Sequence, residues 1–293
     1  MKDFKNKKVL ITGAASGIGR STAIAMGKLG AHLILTDRNE KGLEETVELI
    51  SKDGGKISKY KAFDVSKYED VKKFAEEVHK DIGAMDIIMN IAGIAIWGLI
   101  ENLSHDHWQR QININLWGPI HIIECFLPET IRSGKGGHLL NVSSGAALTG
   151  LPWHVAYAAS KWGLLGISEV LRYDLMHYNI GVTVVCPGAV ETPLKQTLEI
   201  VGIDKSLKEI QDIGDKFTKM AVTPEKVAEL IVKAIKTNKF LVFTSSDIKA
   251  LYWFKRRMFP VYHYIMKKMN NLFYKAKIAM EQKNRENQRT ETI

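Results

Sequence analysis

The stretch KKVLITGAASGIGRSTAIAMGKLG, residues 7–30, decides the fold of this chain. An apolar, β-branched run leads into a turn that contains Gly13, Gly17 and Gly19, and a segment with helical periodicity follows. Glycines let the backbone approach a phosphate closely, and the first N–H groups of the helix have no partner within it. A strand, a glycine turn and a helix in this order therefore predict a dinucleotide site, which also includes Ser16 and Ile18.

The alternation of short β-branched runs with helix-period segments continues along the chain. Candidate strands span residues 7–12, 31–37, 57–65, 84–92, 137–143, 181–187 and 239–244, and candidate helices span residues 18–29, 40–52, 68–82, 105–126, 155–178 and 224–237. Such alternation is typical of βαβ units with a parallel sheet. Residues 1–248 are predicted to form an α/β fold: a single-domain, Rossmann-type, doubly wound parallel sheet of seven strands flanked by helices.

Residues 189–221 form the least regular stretch of this domain. They follow the carboxyl end of a predicted strand, where ligands bind in open α/β sheets. Long irregular insertions at such a place are more often lids or binding loops than simple connections. We therefore predict that this segment is a substrate loop or lid.

Composition is that of an ordinary globular protein, with 45% apolar and 25% charged residues. The first residues lead directly into a strand, and both cysteines, Cys125 and Cys186, lie in apolar segments without metal-ligand spacing. The nine histidines form no ligand pair at helical spacing with a third ligand nearby. These observations predict a cytoplasmic protein with reduced cysteines and no metal site.

Basic charge is concentrated near the C-terminus. Of the formal net charge of +9, eight positive charges lie between Lys249 and Met280, where Asp and Glu do not occur. Pro260 is predicted to separate two short helices, the second of which carries an apolar stripe. The stripe comprises Val261, Ile265, Met269, Leu272 and Phe273. Residues 249–293 are therefore predicted to be a basic, aromatic, amphipathic helical tail.

Several roles are open for this tail. Basic residues interleaved with Trp, Tyr and Phe suit a helix that lies in a membrane interface and faces anionic lipid, here through residues 249–280. The stripe could instead pack on the body of the protein or on another subunit. Nucleic acid is disfavoured as a partner because no DNA- or RNA-binding motif accompanies the charge.

The second predicted strand ends in Asp37, and Arg38 follows it. An acid at this position can accept hydrogen bonds from both hydroxyls of an adenosine ribose and would repel a 2′-phosphate, which favours NAD(H) over NADP(H). The residue before Gly17 is Ser16 rather than a base, although the guanidinium of Arg38 could accept a phosphate. Alternatively, Asp37 only opens the turn DRNEKG, residues 37–42.

Several motifs in order resemble the short-chain dehydrogenase/reductase family, in its compact single-domain branch. They are TGAASGIG at 12–19, Asp64–Val65 at the end of strand three, NIAG at 90–93, NLWG at 115–118, SSG at 143–145, YAASK at 157–161 and PGAVET at 187–192. The resemblance covers residues 5–245 and excludes the tail. Ile91 departs from the pattern, since the family usually has asparagine there.

The resemblance implies a catalytic set of four residues. Tyr157 would exchange a proton with the substrate oxygen while hydride moves to or from nicotinamide. Lys161, one helical turn later, would lower the pKa of that tyrosine and bind the nicotinamide ribose. Ser144 would hold the substrate oxygen, and Asn115 would bend its helix and hold a water that relays protons to Lys161. Outside this context, Tyr157 and Lys161 would be an ordinary surface pair.

The resemblance also implies further cofactor contacts, which surround the adenine, the central strand and the nicotinamide. Asp64 and Val65 would flank the adenine, and Asn90 would steady the central strand. The cleft would be lined by Ala92 and Gly93, and the carboxamide would be bracketed by the backbone of Pro187, Gly188, Val190 and Thr192, with the Thr192 hydroxyl as a partner for the amide. For Val65 and Ala92, plain core packing is the alternative.

The loops Ile94–Trp97 and Ala146–Trp153, together with residues 189–221, are rich in Ile, Leu, Val and Trp and poor in charge. They predict an apolar substrate. The function predicted from the whole sequence is NAD(H)-dependent interconversion of a secondary alcohol and a ketone on a steroid, retinoid or other lipid-like molecule.

Two alternatives to this function remain open from the sequence. One is an NADPH-dependent 3-oxoacyl thioester or carbonyl reductase, which differs at Asp37. The other is a membrane- or partner-binding scaffold that acts through the tail. The resemblance further implies a homo-oligomer, a dimer or tetramer, joined through the helices that carry Asn115 and Tyr157.

Overall fold

The main sheet of the computed structural model, which describes residues 3–192, 198–204 and 207–290, consists of seven parallel strands. They are β1 (Lys8–Thr12), β2 (His32–Asp37), β3 (Lys56–Ala62), β4 (Ile87–Asn90), β6 (Gly137–Val142), β7 (Ile180–Cys186) and β9 (Leu241–Phe243). Their order is β3-β2-β1-β4-β6-β7-β9. The predicted doubly wound sheet is confirmed, and the strand order reverses between β1 and β4, which opens a crevice at the carboxyl ends of these two strands.

Helices cover both faces of this sheet. They are α1 (Gly17–Lys28), α2 (Glu40–Lys52), α3 (Tyr68–Asp81), α4 (His105–Ile112), α5 (Gly118–Arg132), α6 (Val155–Asp174), α7 (Lys208–Lys219), α8 (Pro224–Lys236), α9 (Ser246–Arg257) and α10 (Phe259–Thr290). A π-helix, Asn113–Trp117, joins α4 to α5, and short 3-10 helices occupy Ile100–Asn102, Gly145–Ala147 and Met176–Tyr178.

Strand residues alternate between two cores because successive side chains of a strand point to opposite faces. In β1, Val9 and Ile11 join a cluster that includes residues of α1, α2 and α8, whereas Leu10 joins a cluster with residues of α3 and α5. All three side chains are fully buried. Burial on both faces explains why the central strands read as continuous apolar runs rather than as an alternating pattern.

Three strand predictions are too long, and one of them, 239–244, is the three-residue β9. The predicted strand 84–92 is the four-residue β4, because Ile91 and Ala92 leave the sheet to donate their N–H groups to the Thr12 hydroxyl, at 3.1 and 3.2 Å. The predicted strand 57–65 ends at Ala62. Beyond it, Asp64 accepts a hydrogen bond from the Ser66 N–H at 2.9 Å and begins the turn into α3.

The predicted irregular segment 189–221 contains regular structure. Strand β8 (Glu199–Val201) pairs in parallel with β5 (Ile96–Gly98) in a second, two-stranded sheet, and α7 follows. Residues 193–197 and 205–206 of this segment lie outside the described residues.

The C-terminal segment forms two helices, as predicted, but they differ in length from the prediction. The predicted domain boundary at residue 248 falls inside α9, where Ile248 is buried against Leu148 and Cys186. The chain breaks helical geometry at Met258, two residues before Pro260, and α10 then runs for 32 residues rather than forming a short helix. Among the described residues, the helices include none long and apolar enough to span a bilayer.

Candidate active site

The glycine turn connects β1 to α1 and packs against the backbone just after β4. Gly13 has a φ of +73°, and a Cβ at this position would lie 2.7 Å from the Ala92 backbone. A Cβ at Gly19 would overlap the carbonyl oxygen of Gly13. Only glycine permits these two approaches, and together they hold the N-terminus of α1 at the crevice between β1 and β4.

The first turn of α1 has the properties of an anion site. Ser16 is the N-cap residue and its exposed side chain makes no capping hydrogen bond, so the first N–H groups of the helix lack that partner. Gly17 has a φ of +51°, and Ile18 packs against the core behind the turn. No acidic residue lies in this turn. A helix N-terminus of this kind favours the negative charge of a pyrophosphate.

Asp37 lies at the end of β2 and bridges to this turn. Its carboxylate accepts hydrogen bonds from the Ala15 N–H at 3.0 Å and from the Asn39 N–H at 2.9 Å. The bond to Asn39 shows that Asp37 does open the turn 37–42, and the bond to Ala15 shows that it also faces the glycine turn. Because a carboxylate has about four acceptor sites, two remain for ribose hydroxyls.

Arg38 is exposed beside Asp37 and makes no ion pair among the described residues. Its guanidinium is therefore available to a 2′-phosphate, which keeps the alternative cofactor open.

The residues predicted to flank the adenine, to steady the central strand and to line the cleft lie at or just after the ends of β3 and β4. Asp64 and Val65 occupy the loop between β3 and α3, and Val65 is buried with its carbonyl 3.0 Å from the His121 Nδ1. Asn90, buried in β4, donates to the Asn141 side chain of β6 at 2.9 Å, so it ties two central strands together. Ala92 meets Gly13.

Asn115 lies fully buried in the π-helix, a class of helical bulge that often marks functional sites. Its amide pairs with both backbone groups of Ile94: Oδ1 accepts the N–H and Nδ2 donates to the carbonyl, each at 2.9 Å. The predicted continuous helix 105–126 is wrong in this respect, since one turn is widened at Asn113–Trp117 and the helix extends to Arg132. The widened turn agrees with the predicted bend.

Lys161 projects from α6 into the interior beneath Gly93. It is 4% exposed, and its Nζ donates to the Val142 carbonyl of β6 at 3.0 Å. A Cβ at Gly93 would lie 3.4 Å from that Nζ and 3.1 Å from the Asn115 Oδ1. The end of β4 therefore brings Gly93, Asn115 and Lys161 together, although 68 positions separate the first from the last.

Tyr157 lies one turn before Lys161 on the same helix, with its ring centroid 6.0 Å from the lysine Nζ. Ser144, at the N-cap of the 3-10 helix after β6, lies within hydrogen-bonding reach of the tyrosine hydroxyl. Ser143 has a structural role instead, because its hydroxyl donates to the Lys161 carbonyl at 2.8 Å. The structure thus brings Ser144 rather than Ser143 to Tyr157.

The electrostatics of this pair differ from the sequence-based expectation. Burial raises the pKa of Tyr157, and a hydrogen bond from the Ser144 hydroxyl opposes that increase. Burial also lowers the pKa of Lys161, to about 8. The expected lowering of the tyrosine pKa by Lys161 is not found, because the loss of hydration dominates at both groups and the ammonium is turned toward Val142.

The segment after β7, which is predicted to bracket the nicotinamide, is held by backbone and side-chain hydrogen bonds. Pro187 accepts a hydrogen bond from the Gly145 N–H at 2.8 Å, and Gly188 donates to the Thr244 hydroxyl at 3.2 Å. Val190 forms a β-bridge to Val222, and the Thr192 N–H donates to the Val190 carbonyl at 2.9 Å. These bonds hold residues 187–192 in a defined loop beside Ser144.

Helix α10 of the tail lines a cavity beside α6, which sequence reasoning missed. A cavity of about 250 Å³ lies between the loop after β5, the loop before α6 and helix α10. Its lining residues are Gly98, Leu99, Ile100, Glu101, Pro152, Trp153, Val155, Asn270 and Tyr274. The stripe around Phe273 was the available signal, because a helix with an apolar stripe needs a surface to cover.

Trp153 connects the loop before α6 to helix α10. It has a φ of +66°, an uncommon conformation for a large residue, and its ring meets that of Phe273 edge-on with centroids 4.7 Å apart. The next residue, His154, is buried between Trp97 and Tyr157, with ring centroids 4.1 and 6.1 Å away. Burial lowers its pKa to about 4, so it is neutral near pH 7.

A nicotinamide dinucleotide fits the described residues. The crevice between β1 and β4 leads from the N-terminus of α1, which has no acidic residue in its first turn, past Gly93 to Lys161 and Tyr157. A family model described as short chain dehydrogenase matches residues 7–200. The chain belongs to the short-chain dehydrogenase family.

Curated relatives of this dehydrogenase are also oxidoreductases. An uncharacterized oxidoreductase of Listeria innocua is 35% identical over 234 residues, which cover 79% of this chain and 91% of the relative. The probable oxidoreductase EphD of Mycobacterium tuberculosis is 34% identical over 257 residues, covering 86% of this chain and 43% of EphD. The chain therefore spans less than half the length of EphD.

Solved short-chain dehydrogenases share the fold. One from Burkholderia phymatum, in complex with NAD, aligns with a TM-score of 0.79 at 25% identity, covering 89% of this chain and 96% of that one. An alcohol dehydrogenase from the archaeon Thermococcus sibiricus, complexed with 5-hydroxy-NADP, aligns with a TM-score of 0.69 at 26% identity, covering 82% and 96%. Both kinds of dinucleotide thus occur among similar structures, and the choice for this short-chain dehydrogenase depends on its own residues.

Proposed function

We propose that this short-chain dehydrogenase interconverts an apolar secondary alcohol and a ketone with NAD(H). The observation that carries the proposal is the meeting of Tyr157, Lys161 and Asn115 beside Gly93, at the carboxyl end of β4. The bound nicotinamide would supply or accept the hydride. The side chains of the protein would then handle the proton and the charge on the substrate oxygen.

Tyr157 is the residue proposed to exchange that proton. A pKa raised by burial favours the neutral phenol, which suits proton donation to a forming alkoxide. In the oxidising direction the phenolate is required, and a hydrogen bond from Ser144 together with the charge of Lys161 would stabilise it. Ser144 would also donate to the substrate oxygen, where negative charge develops.

Lys161 is proposed to hold the ribose and to feed protons to the tyrosine, and Asn115 is proposed to keep the neighbouring π-helix in place. Lys161, with a pKa of about 8, can gain or lose its proton near neutral pH. The Asn115 side chain is occupied by Ile94, so it fixes the position of the π-helix rather than binding a ligand.

NAD(H) is the proposed cofactor because the Asp37 carboxylate faces the glycine turn. A 2′-phosphate near this carboxylate would be repelled, while a ribose diol can donate two hydrogen bonds to it. The exposed Arg38 supports the competing proposal, an NADPH-dependent carbonyl or 3-oxoacyl thioester reductase.

The cofactor proposal is tested by titrating NADH and NADPH into the full-length protein and following nicotinamide fluorescence. We expect NADH to bind about tenfold or more tightly than NADPH, and Asp37→Ala to remove most of that preference, since a charge-assisted hydrogen bond contributes roughly 1.5–3 kcal/mol. Arg38→Ala serves as the companion variant. A preference for NADPH that Arg38→Ala abolishes would replace NAD(H) by NADP(H).

The substrate is proposed to be apolar and lipid-like. Leu99, Ile100 and Trp153 line the cavity beside the catalytic helix, and Glu101, its acidic residue, is paired with Lys277 at 2.7 Å. A volume of about 250 Å³ that continues toward solvent can take one end of an elongated molecule.

Turnover of a panel of apolar secondary alcohols with NAD⁺, and of the matching ketones with NADH, tests the reaction. Tyr157→Phe is expected to lower kcat about 100- to 10,000-fold with NADH binding retained, since proton transfer is lost and the ring stays in place. Tyr173→Phe, at an exposed position of the same helix, is the matched control and keeps its activity. Equal activity of the two variants would remove Tyr157 from the mechanism.

A homo-oligomer is also proposed. The π-helix and α6 expose several large apolar side chains, with Trp117, Trp162, Val170 and Tyr173 between 46% and 60% accessible. Exposure of several large apolar side chains on neighbouring helices is consistent with an interface between subunits. Sedimentation equilibrium would show a dimer or tetramer, and a monomer at working concentrations would overturn this proposal.

A further inference from the structure

The tail uses its inner face to hold the loops of the active site. The Lys255 Nζ donates to the Leu148 carbonyl at 2.8 Å, and the Tyr262 hydroxyl accepts from the Gly150 N–H at 2.9 Å. Further along, Lys277 pairs with Glu101 at 2.7 Å. Part of the predicted apolar stripe is buried as well: Phe273 is 4% exposed and belongs to a cluster with Ile203 and Ile210.

The stripe therefore does not form the outward surface of the tail. Lys255 and Lys277 point inward, and the remaining six basic residues of 249–280 are exposed. They are Lys249, Arg256, Arg257, Lys267, Lys268 and Lys275, and within the described part of the chain none of them pairs with a carboxylate. The cations that remain outward thus form an uncompensated positive surface.

Large apolar side chains are exposed at the turn between α9 and α10. Trp253 is 51% accessible, Met258 42% and Phe259 60%. They flank Arg256 and Arg257 in sequence, and these two arginines lie on the same face of α9 as Lys249 and Trp253. We call Lys249, Trp253, Arg256, Arg257, Met258 and Phe259 the basic elbow.

A groove runs along one side of the basic elbow. Its volume is about 240 Å³, and it lies between α9 and the edge strand β9. Its lining residues are Leu241, Phe243, Lys249, Tyr252, Trp253, Arg256 and Arg257, which include three cations and no acid. Apolar walls with cations among them suit the glycerol and phosphate region of an anionic phospholipid.

We propose that the basic elbow docks this short-chain dehydrogenase on the surface of an anionic bilayer. Trp253, Met258 and Phe259 would enter the interface between headgroups and acyl chains, while Arg256, Arg257 and Lys249 bind phosphates. Tryptophan and tyrosine suit this depth because they combine an apolar ring with a polar group. The exposed lysines of α10, one of which lies over the Tyr264 ring, extend the positive surface.

Two other occupants fit these residues less well. A second copy in a two-fold contact would place the same surface against itself, so the cations would face one another without carboxylates between them. A nucleic acid would satisfy the cations but would leave Met258 and Phe259 exposed to water. The bilayer accounts for the charged and the apolar residues together.

Co-sedimentation of the full-length protein with vesicles tests the proposal independently of turnover. Vesicles that contain about 30% phosphatidylglycerol in phosphatidylcholine are compared with phosphatidylcholine alone. We expect binding to the anionic vesicles only, and a marked loss at about 0.5 M salt, because interactions between exposed charges are screened. We expect the affinity for anionic vesicles to fall by about fivefold for each positive charge removed.

The variant R256E/R257E is expected to lose vesicle binding, and Trp253→Ala to weaken it. The matched control is K72E/K73E, which removes the same charge from two adjacent exposed lysines of α3. Thermal melts and NADH binding confirm that each variant is folded. The proposal would be overturned if R256E/R257E and K72E/K73E lost vesicle binding equally. It would also be overturned if the wild type bound neutral and anionic vesicles equally, or bound neither.

Two further measurements separate the other occupants. Size-exclusion chromatography of Trp253→Ala shows whether the elbow holds a second copy, and a shift to a smaller species without vesicle binding would assign the surface to that copy. Retention of an RNA or DNA duplex, with no vesicle binding, would assign it to nucleic acid. Either result overturns the bilayer proposal and leaves the catalytic proposal untouched.

Discussion

Lys161 shows at the scale of a single residue how the site differs from the rest of the core. A lysine that is 4% exposed and has no carboxylate partner among the described residues is costly, and the acceptor found for it there is the Val142 carbonyl. The unfolded chain would hydrate this ammonium fully. The fold therefore accepts a loss of stability at Lys161, which is expected where a residue is held for chemistry rather than for packing.

We predict that Lys161→Met abolishes turnover and stabilises the protein at pH 7. Burial lowers the pKa of Lys161 from 10.5 to about 8, so the unfolded chain binds more protons between these pH values and the stability of the wild type rises with pH across this window. The loss of folding stability that the buried Lys161 ammonium causes is complete below about pH 8 and disappears above about pH 10.5. The free-energy advantage of Lys161→Met should therefore shrink by about 2–3 kcal/mol between pH 7 and pH 10.

Urea unfolding at the two pH values measures this difference. Lys233→Met, at an exposed position of α8 with no carboxylate partner among the described residues, is the control and is expected to show no such trend. A constant difference between Lys161→Met and the wild type would mean that the lysine keeps its ordinary pKa.

At the scale of elements, the π-helix and α6 come together beside the loop that follows β4. One widened turn places Asn115 against Ile94, and Gly93 leaves the space above Lys161 open. Helical periodicity alone predicts a regular helix here, since a π-turn has no local sequence signature. Asn115 in this turn is held by hydrogen bonds to Ile94, in the loop between β4 and β5, which lies 21 positions away.

Gly93→Ala is predicted to reduce NADH affinity and kcat by about tenfold or more, while the protein stays folded. The new Cβ would lie 3.1 Å from the Asn115 Oδ1 and 3.4 Å from the Lys161 Nζ, so one of these groups has to shift. The control is Gly166→Ala on α6, where a Cβ meets nothing within 4 Å. There the substitution should add about 0.5–1 kcal/mol of stability and leave turnover unchanged.

Fluorescence titration and thermal melts measure both effects. If Gly93→Ala bound NADH as tightly as Gly166→Ala does, the space above Lys161 would not belong to the cofactor.

At the scale of the whole molecule, the C-terminal helices lie across the loops that follow β5 and β6. Bonds from Tyr262 and Lys277 and the ring contact of Phe273 connect α10 to Gly150, Glu101 and Trp153. These contacts make the tail one wall of the cavity beside α6, the cavity in which we propose that the substrate binds. The body and the tail are thus coupled at the site, although the motifs of the family lie in the body alone.

Phe273→Ala is predicted to raise KM for a bulky apolar alcohol more than for a small one. Removal of the ring releases Trp153 and opens the cavity wall, and truncation of a buried phenylalanine costs about 3–5 kcal/mol in a full core and less in a peripheral cluster. Tyr264→Ala, on the exposed face of the same helix, is the control. Kinetics with two alcohols of different length measure the effect, and equal changes for both alcohols would contradict it.

Sequence alone determined the class of fold and the order of the site residues. The glycine turn, the alternation of strands and helices and the Tyr157–Lys161 spacing are local patterns, and each follows from backbone geometry over a few residues. For this reason the parallel sheet and the family are confirmed. The strand ends at Asn90 and Ala62 were less well predicted, because the last residue of a strand is set by its hydrogen bonds to the neighbouring strand.

Tertiary structure decided the features that depend on distant contacts. The Lys255 bond to Leu148 joins residues 107 positions apart, and the Lys277 bond to Glu101 joins residues 176 apart. The π-turn at Asn115, the direction of the Tyr157 pKa shift and the inward face of α10 all follow from such packing. Periodicity shows that a helix has an apolar stripe, but the surface that the stripe covers is determined only when the whole chain competes for burial.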